Sequence, residues 1–151
     1  MLIAFARLRQ NVVAPNRSNP SDAGLDVFFN PADGNPVEIA PQTSKLLGTG
    51  VSFEIPHGYM MQVCNRSGVA SKRSLVVGAH IIDSGYSGEV LINLHNIGDK
   101  TQVINAGDKI AQLVMMPILA PRLAEVEPTD LYIEPITISN RRDAGFGSTG
   151  K

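Results

Sequence analysis

Short runs of alternating apolar and polar residues, each bounded by glycine or proline, recur along the chain. Alternation is clear in Val51-Ser-Phe-Glu-Ile and weaker from Val90 to His95 and from Lys109 to Val114, and Tyr59-Met-Met-Gln-Val-Cys is a mostly apolar run. A period of two residues is typical of strands that bury one face. The pattern predicts many short strands joined by turns, as in a β-sandwich or β-barrel.

Glycine and proline leave little room for helices. The chain has 14 glycines and 10 prolines, and after Pro15 no stretch free of both exceeds nine residues. The mean α-helix has about 11 residues, and an interior glycine or proline costs about 1 or 3 kcal/mol. We therefore expect at most one short helix, from Val69 to Arg73. The segment from Leu2 to Arg9 fits either period, and an adjacent sheet favours a strand.

Two turn sequences are predicted to form β-hairpins. Residues 81–90 carry apolar residues on both sides of Asp83-Ser-Gly-Tyr, which is typical of a hairpin with a tight turn. Gly107-Asp-Lys is a second turn of this kind, and it leads into the strand that contains Gln112. No internal repeat is present, and a length of 151 residues fits a single domain.

Composition and charge exclude several classes of protein. Lys and Arg total 13 against 14 Asp and Glu, a net charge of −1 that argues against a partner such as a nucleic acid polymer. The single cysteine, Cys64, excludes an intrachain disulfide and a thiolate zinc cluster. No apolar run approaches the roughly 18 residues of a membrane span. The N-terminus lacks a basic segment of the secretory kind, so we expect a cytoplasmic chain with no membrane partner.

Arg66-Ser67-Gly68 follows an apolar strand and opens the predicted helix. An arginine fork, a hydroxyl group and exposed backbone N–H groups together form a site for an anion. The alternative is a surface arginine beside a serine that caps the helix. No P-loop or dinucleotide-binding fingerprint is present, so a phosphorylated substrate would be held by scattered donors.

Two carboxylates and one amide are further candidates. Asp83 either hydrogen-bonds within its own turn or accepts a proton from an attacking water, and Tyr86, three residues later, can present its ring to a ligand. Asp26 begins an apolar strand, where it either closes a turn or contacts a hydrated magnesium ion. Gln112 is either a surface polar residue or a donor to a phosphate group.

Residues 127–151 differ from the rest of the chain because they are polar, rich in glycine and interrupted by two prolines. A polar terminus of this kind is often frayed. This one also places Phe146 between two glycines, close to a serine-threonine pair and two arginines, which supply a stacking ring and phosphate donors. We therefore expect a catalytic β-barrel core, residues 1–126, and a C-terminal arm, residues 127–151.

Five short motifs occur in a fixed order along the chain: Ala23-Gly-Leu-Asp-Val, Arg66-Ser-Gly-Val-Ala, Ile82-Asp-Ser-Gly-Tyr-Ser-Gly-Glu, Gly107-Asp-Lys-Ile-Ala-Gln-Leu-Val and Gly145-Phe-Gly-Ser-Thr-Gly. In sequence and in order, this set resembles the five motifs of the trimeric dUTPase family. The last two are the most specific. Together the motifs cover the chain from residue 23 to its end.

The resemblance implies a small all-β fold of the jelly-roll (β-clip) type with a flexible C-terminal arm. It also implies a homotrimer whose three active sites lie between subunits. The expected reaction is the Mg²⁺-assisted hydrolysis of dUTP to dUMP and pyrophosphate, which supplies dUMP and limits the incorporation of uracil into DNA. The arm would close over an active site of the trimer when substrate binds.

By the same resemblance, each motif supplies residues to the site. Asp83 would activate the water that attacks the α-phosphorus, and Asp26 would contact the metal through water. Tyr86 would lie under the deoxyribose and leave no room for a 2′-hydroxyl, and Phe146 would stack on the uracil. The residues expected to hold the phosphates are Arg66, Ser67, Gly68, Gln112, Arg141, Gly147, Ser148 and Thr149.

The chain departs from the family pattern in two places. Val77 and His80 stand where the family often has asparagine and glycine, near the expected uracil pocket. Arg142 is an alternative to Arg141 for the γ-phosphate, because Arg-Arg-Asp-Ala replaces the family's usual Arg-Gly-x-Gly. The backbone groups expected to bind the uracil are those of Gly78, Ile81 and Ile82.

Two other functions are alternatives. The stretch from Ala79 to Gly88 also resembles the related dCTP deaminases, but deamination in that family needs a glutamate where this chain has Asn93. Asparagine cannot shuttle the proton, so this interpretation is disfavoured. The second alternative is a nucleotide-sensing module that docks a regulatory protein partner. The retained set of polar residues argues for catalysis, and the sequence identifies no such partner.

Overall fold

The computed structural model describes residues 2–132, and their regular structure consists of eleven short strands, one α-helix and one 3₁₀ helix, Pro128–Asp130. The strands are β1 Phe5–Arg7, β2 Leu25–Phe28, β3 Val37–Ile39, β4 Ser44–Gly48, β5 Val51–Phe53, β6 Tyr59–Cys64, β7 Leu75–Val77, β8 Ile81–Ile82, β9 Leu91–Asn96, β10 Gln102–Ile104 and β11 Lys109–Pro117. The helix, α1, is Ser67–Arg73. The predicted all-β class with one short helix is therefore confirmed.

The strands form four antiparallel groups. The largest has the order β2-β11-β6-β8, and a second has the order β4-β9-β7. Two further pairs are β1 with β5 and β10 with β3. Because sequence neighbours are often not sheet neighbours, the chain crosses repeatedly between sheets, and segments distant in sequence meet in the largest one.

The alternation of the strands accounts for the core. Ile92, Leu94 and Asn96 of β9 are buried while the residues between them are partly exposed. The same alternation buries Met61 and Val63 of β6. Each large apolar side chain buried in this way contributes about 1.5–3 kcal/mol relative to exposure. The core thus fixes which face of each strand points inward.

Helix α1 confirms the predicted short helix, although it begins two residues earlier, at Ser67. It ends at Arg73, and its C-cap is Ser74, which has a left-handed backbone (φ 53°) and donates its N–H to the carbonyl of Ala70 at 3.2 Å. Basic residues in the last turn, Lys72 and Arg73, complement the helix dipole. The helix covers the core only through Val69, which is buried.

The N-terminal segment forms a strand over Phe5–Arg7, as predicted. This strand pairs with β5, and Phe5 lies opposite Phe53 with their ring centroids 6.0 Å apart. The pairing decides between strand and helix, because the backbone groups of residues 5–7 find partners in β5.

Both hairpin predictions are wrong, although both turns exist. The turn at residues 83–86 closes through the N–H of Tyr86 and the carbonyl of Asp83 at 3.2 Å, but β8 pairs with β6 and β9 pairs with β4 and β7. After this turn, the N–H of Val90 donates to the carbonyl of Val51 at 2.9 Å. The chain then continues into β9, which belongs to the sheet of β4 and β7 and not to that of β8.

The turn before β11 is also held by a hydrogen bond to a distant segment of the chain and does not form a hairpin. Gly107 adopts φ 84°, and its N–H donates to the carbonyl of Phe29 at 2.7 Å. This bond ties the turn to the end of β2. As a result β11 pairs with β2 and β6, while β10 pairs with β3. Tertiary hydrogen bonds, which local turn chemistry does not encode, decide both outcomes.

The chain divides into two compact units, Met1–Ala120 and Pro121–Lys151. The strands and α1 all belong to the first unit, and the 3₁₀ helix belongs to the second. The division at residue 127 and the closing role of the arm stay predictions. Within residues 2–132, the structure holds no helix long and apolar enough to cross a membrane.

Candidate active site

Asp26 is a buried carboxylate that pairs with two basic side chains. Its side chain on β2 is only 7% exposed. Arg66 donates through Nε to Oδ1 at 2.7 Å, and Lys109 donates through Nζ to Oδ2 at 2.7 Å. Ser18 adds a hydroxyl donor to Oδ2 at 3.1 Å. A buried charge is tolerated only when it is paired and hydrogen-bonded in this way.

The pairing also changes the acidity of Asp26. Burial by itself raises its pKa, but the hydrogen bonds from Lys109 and Arg66 outweigh burial and hold the pKa below the ordinary value. The carboxylate is therefore ionised at neutral pH. Its negative charge orients the Arg66 side chain through Nε, and the two terminal nitrogens of the guanidinium make no hydrogen bond with residues 2–132, so they can meet an anion.

A bulge in β11 brings Lys109 to Asp26. In a regular strand Lys109 and Gln112 would point to opposite faces, because they are three residues apart. The register of β11 against β2 shifts between Lys109 and Ala111, and such shifts re-aim side chains. Sequence reasoning missed Lys109 and Ser18; the only available signal for Lys109 was its position in the motif that contains Gln112.

Arg66, Ser67 and Gly68 lie together at one polar cleft of about 440 Å³. The cleft, called here the polar cleft, is lined by Ser18, Asp22, Ala23, Gly24, Asp26, Arg66, Ser67, Gly68 and Gln112. The first intrahelical bond of α1 runs from Ala70 to Arg66, so the N–H groups of the first turn have no partner within the helix. Guanidinium, hydroxyl and N–H donors thus share a cleft suited to an anion.

Gln112 is held against Gly24 at the edge of this cleft. Its Nε2 donates to the carbonyl of Asn65 at 2.8 Å. A Cβ atom at position 24 would overlap Oε1 of Gln112. The position therefore requires glycine if the amide is to keep its place, and the predicted role of Gln112 as a donor is compatible with its location.

Asp83 and Tyr86 lie at a different cleft. This second cleft, called here the turn cleft, encloses about 180 Å³ and is lined by Ile81, Ile82, Asp83, Tyr86, Val90 and Leu91. The carbonyl of Asp83 closes the turn, whereas its carboxylate makes no hydrogen bond with any residue from 2 to 132. The carboxylate is thus accessible to a water molecule or ligand. Sequence reasoning missed Val90 and Leu91 in this cleft.

The two clefts lie at opposite ends of β6 and share no lining residue. Ile82 pairs with Met61, so Asp83 follows at the N-terminal end of β6, while Arg66 comes just after its C-terminal end. The strand itself spans roughly 10 Å from Met61 to Cys64, at about 3.4 Å per residue. Within one chain, Asp83 and Arg66 therefore line separate clefts.

Other predicted site residues lie outside both clefts. Gly78 is exposed, and its N–H donates to the carbonyl of Asn93 at 2.9 Å. The side chains of Asn93 and His95 are 2.6 Å apart and both lie close against Gly78. The arm residues Arg141, Phe146, Gly147, Ser148 and Thr149 lie outside the described part of the chain.

The side chains of the polar cleft suit a Mg²⁺ ion that keeps its bound waters better than one that is coordinated directly by several protein ligands. Among residues 2–132, no three His, Cys, Asp or Glu side chains form a group that could hold a metal ion. Both carboxylate oxygens of Asp26 already accept hydrogen bonds from the basic side chains of Arg66 and Lys109. Mg²⁺ usually keeps several waters and uses one or two carboxylates together with phosphate oxygens. The residues therefore fit the predicted contact through water.

Comparison with known proteins identifies the family. Residues 10–150 match the family model for dUTPase. The chain is 37% identical over 150 residues to the deoxyuridine 5′-triphosphate nucleotidohydrolase of Gloeobacter violaceus, in an alignment that covers 98% of this chain and 96% of that protein. It is 34% identical over 151 residues to the human mitochondrial enzyme of the same name, of which it covers 56%.

Solved structures agree. The dUTPase of Staphylococcus bacteriophage 80alpha, solved with dUpNHpp, superposes with a TM-score of 0.84 and 31% identity over 99% of both chains. A mutant dUTPase from phage phi11 of S. aureus, described with a structural Mg(II) ion, superposes with a TM-score of 0.76 and 33% identity over 84% of this chain and 97% of that one. The predicted jelly-roll-like β fold and enzyme class are confirmed, and this chain belongs to the dUTPase family.

Proposed function

We propose that this chain hydrolyses dUTP to dUMP and pyrophosphate by attack of water on the α-phosphorus. The observation that carries the proposal is its likeness, over 99% of both chains, to a phage dUTPase solved with dUpNHpp. Within this chain, a cleft rich in anion donors and a cleft with an accessible carboxylate supply the two kinds of group that such a reaction needs. The expected biological result is a supply of dUMP and less uracil in DNA.

The polar cleft is proposed to hold the triphosphate. Arg66 would bind phosphate oxygens through its terminal nitrogens, since its Nε is engaged by Asp26 at 2.7 Å. The hydroxyl of Ser67 and the N–H of Gly68 add neutral donors at the start of α1. Gln112 would contact the α-phosphate from the opposite side of the cleft. Donors fixed before the substrate arrives stabilise the charge that develops during attack.

The turn cleft is proposed to hold the nucleoside. Backbone groups of Gly78, Ile81 and Ile82 would bind the uracil, and the ring of Tyr86 would lie against the deoxyribose. Asp83 would accept the proton of the attacking water as the new oxygen–phosphorus bond forms. The bond between the α-phosphorus and the bridging oxygen then breaks, and pyrophosphate leaves with that oxygen. This assignment leaves the proton on Asp83 until it passes to solvent.

The separation of the clefts favours an assembly in which each site is shared. Asp83 and Arg66 line different clefts at opposite ends of β6, and we propose that the α-phosphate meets Asp83 from one copy and Arg66 from another. A cyclic homotrimer satisfies this condition with three equivalent sites. The arm of a copy would complete each site with Arg141 or Arg142 on the γ-phosphate, Phe146 on the uracil, and donors at Gly147, Ser148 and Thr149.

Mg²⁺ is the proposed cofactor, held by phosphate oxygens and, through water, by Asp26. When bound, it would offset the negative charge of the triphosphate. The protein's own contribution is separate, because Asp26 pairs with Arg66 and Lys109 through its two carboxylate oxygens. A cytoplasmic location and any regulatory protein partner are further expectations.

Pyrophosphate release tests the proposal directly. The chain is assayed with dUTP, UTP, dCTP and dTTP, each with Mg²⁺ and with EDTA, and ammonia release is followed with dCTP. We expect turnover of dUTP with Mg²⁺, at least about 100-fold slower turnover of UTP, and no ammonia. Equal turnover of all four nucleotides, or ammonia from dCTP, would contradict the proposed substrate and reaction.

A further inference from the structure

Tyr86 is poorly supported by packing for a residue proposed to select the sugar. It lines both the turn cleft and another, mostly apolar cleft of about 380 Å³, which is formed by residues 4–6, 52–55 and 85–87. Tyr86 is 46% exposed. Because it borders two clefts, the ring needs another constraint to keep its position.

That constraint is at the far end of the ring. The Tyr86 hydroxyl donates to the carbonyl of Glu89 at 2.9 Å. The ring also lies over Gly88, where a Cβ atom would come within 2.6 Å of the hydroxyl oxygen. The position of the ring therefore depends on the backbone of Gly88 and Glu89.

The backbone of Glu89 is in turn fixed by its own side chain. Arg9 pairs with both carboxylate oxygens, through Nη1 to Oε2 at 3.0 Å and through Nη2 to Oε1 at 2.9 Å. The N–H of Gly50 donates to Oε1 at 2.7 Å, and Arg9 also donates to the carbonyl of Asn30. A two-pronged arginine–carboxylate pair of this kind constrains geometry as well as adding stability.

The pair is better sheltered than an ordinary surface ion pair. The side chains of Arg9 and Glu89 are only 26% and 25% exposed. Their surroundings leave little space, because a Cβ atom at Gly48 would lie 2.6 Å from Oε1 of Glu89. Immediately after Glu89, Val90 joins β5 through its N–H. The end of the turn is therefore held rigidly relative to the core.

We infer that the Arg9–Glu89 ion pair is a positioning pair that holds Tyr86 against the sugar and thereby sets the discrimination between deoxyribose and ribose. The inference rests on the proposed function. Arg9 precedes all five sequence motifs, and neither residue lines the turn cleft. Both act through the carbonyl of Glu89 and the hydroxyl of Tyr86, so neither is a catalytic residue.

The test compares kcat/KM for dUTP and UTP in Glu89→Gln and Tyr86→Phe variants. Glu89→Gln weakens the ion pair, and Tyr86→Phe removes the hydroxyl bond but keeps the ring. Both should lower the dUTP/UTP ratio by about tenfold, because misplacement by an ångström changes rates by up to about 100-fold. For Glu89→Gln the kcat for dUTP should stay close to that of the wild type, because Glu89 does not line the turn cleft and Asp83 is unchanged. Arg9→Lys, which keeps the charge but loses the fork, should give an intermediate ratio.

Arg73→Gln is the matched control. It removes contacts to Asp108, Gln102 and Val103 that lie away from the turn. It should lower the melting temperature without changing the dUTP/UTP ratio. A merely structural role for Arg9 and Glu89 predicts the same result for Glu89→Gln as for this control.

The outcomes separate this inference from the proposed function. If the wild-type chain hydrolyses dUTP but Glu89→Gln keeps the wild-type ratio, the positioning role is overturned and the function stands. If Glu89→Gln fails to fold, Arg9→Lys decides, because it removes the two-pronged contact to Glu89 but keeps the positive charge. A wild-type chain without turnover of dUTP would overturn the proposed function, and this inference with it.

Discussion

Asp83 and Arg66 lie near opposite ends of strand β6, where they line separate clefts. The separation follows from the antiparallel pairing of β8 with β6, in which Ile82 is opposite Met61. The shared site that we propose takes these two residues from different copies of the chain. This requirement can be tested without reference to the arm.

Mixing two inactive variants should restore activity. Asp83→Asn and Arg66→Gln chains are each expected to be inactive, but some sites of a mixed trimer combine the intact Asp83 of one chain with the intact Arg66 of the other. For random mixing at equal amounts, about a quarter of the sites are complete, because each requires two independent choices between chains. The measurement is pyrophosphate release after joint unfolding and refolding.

Two controls accompany the mixing experiment. Each variant is refolded alone, and the double variant is refolded with wild-type chains to report the effect of dilution. If Asp83 and Arg66 acted within one chain, every site of the mixed sample would carry one defect. Activity no higher than that of the separate variants would then contradict the shared site.

Asp83→Asn should remove most turnover while preserving the fold. The substitution is nearly isosteric, and the carboxylate makes no hydrogen bond within residues 2–132 whose loss would destabilise the turn. General-base catalysis contributes about 10²–10⁴-fold, so kcat should fall by that range with little change in melting temperature. Retention of more than about a tenth of the wild-type kcat would show that another group accepts the proton.

Gly24→Ala should act through Gln112. The added methyl group would overlap Oε1 of Gln112, so the amide must rotate away from its bond with Asn65. Loss of one positioned donor costs about 10²–10³-fold in kcat, and we expect a loss of about 100-fold. Gln112→Ala should have a similar effect, and the double variant should be no worse than either alone, because both remove the same contact. Wild-type activity in Gly24→Ala would place Gln112 outside the reaction.

The two ion pairs should make stability depend on acidic pH. For Asp26 burial raises the pKa, but the bonds from Lys109 and Arg66 lower it below the ordinary 3.8; for Glu89 the bond from Arg9 lowers the pKa below 4.5. A carboxylate with a lowered pKa stabilises the fold above its unfolded pKa, and this contribution is lost as pH falls through the folded pKa. The melting temperature should therefore decline below about pH 4.5.

Asp26→Asn should isolate this contribution. At pH 7 the substitution leaves two cations beside a neutral group, and we expect a loss of roughly 1–3 kcal/mol in unfolding free energy. The difference from wild type should shrink as the pH is lowered to about 3. Thermal unfolding at a fixed chain concentration measures it, with the exposed Asp99→Asn as control. A difference that is independent of pH would mean that the charge of Asp26 does not stabilise the fold.

Much of the architecture could be predicted from local patterns. Alternation in Val51–Phe53 and over residues 90–95 predicts strands because one face of each must be buried, and the structure has β5 and β9 there. The spacing of glycine and proline leaves room only for a short helix, and α1 has seven residues. The positions of both turns were also predictable, because Gly85 and Gly107 adopt the positive φ angles that their turns require.

Local patterns in the sequence were enough to predict several of the strands, both turns, the family motifs and the chemical types of the candidate residues, since these depend on side-chain period and local backbone preference. Strand pairing, and with it the placement of Asp83 and Arg66 at opposite ends of β6, follows instead from tertiary contacts. The same is true of the bulge that turns Lys109 towards Asp26, and of the pairing of Arg9 with Glu89 across 80 positions of sequence. These contacts join segments distant along the chain, and their energy depends on geometry that no local pattern encodes.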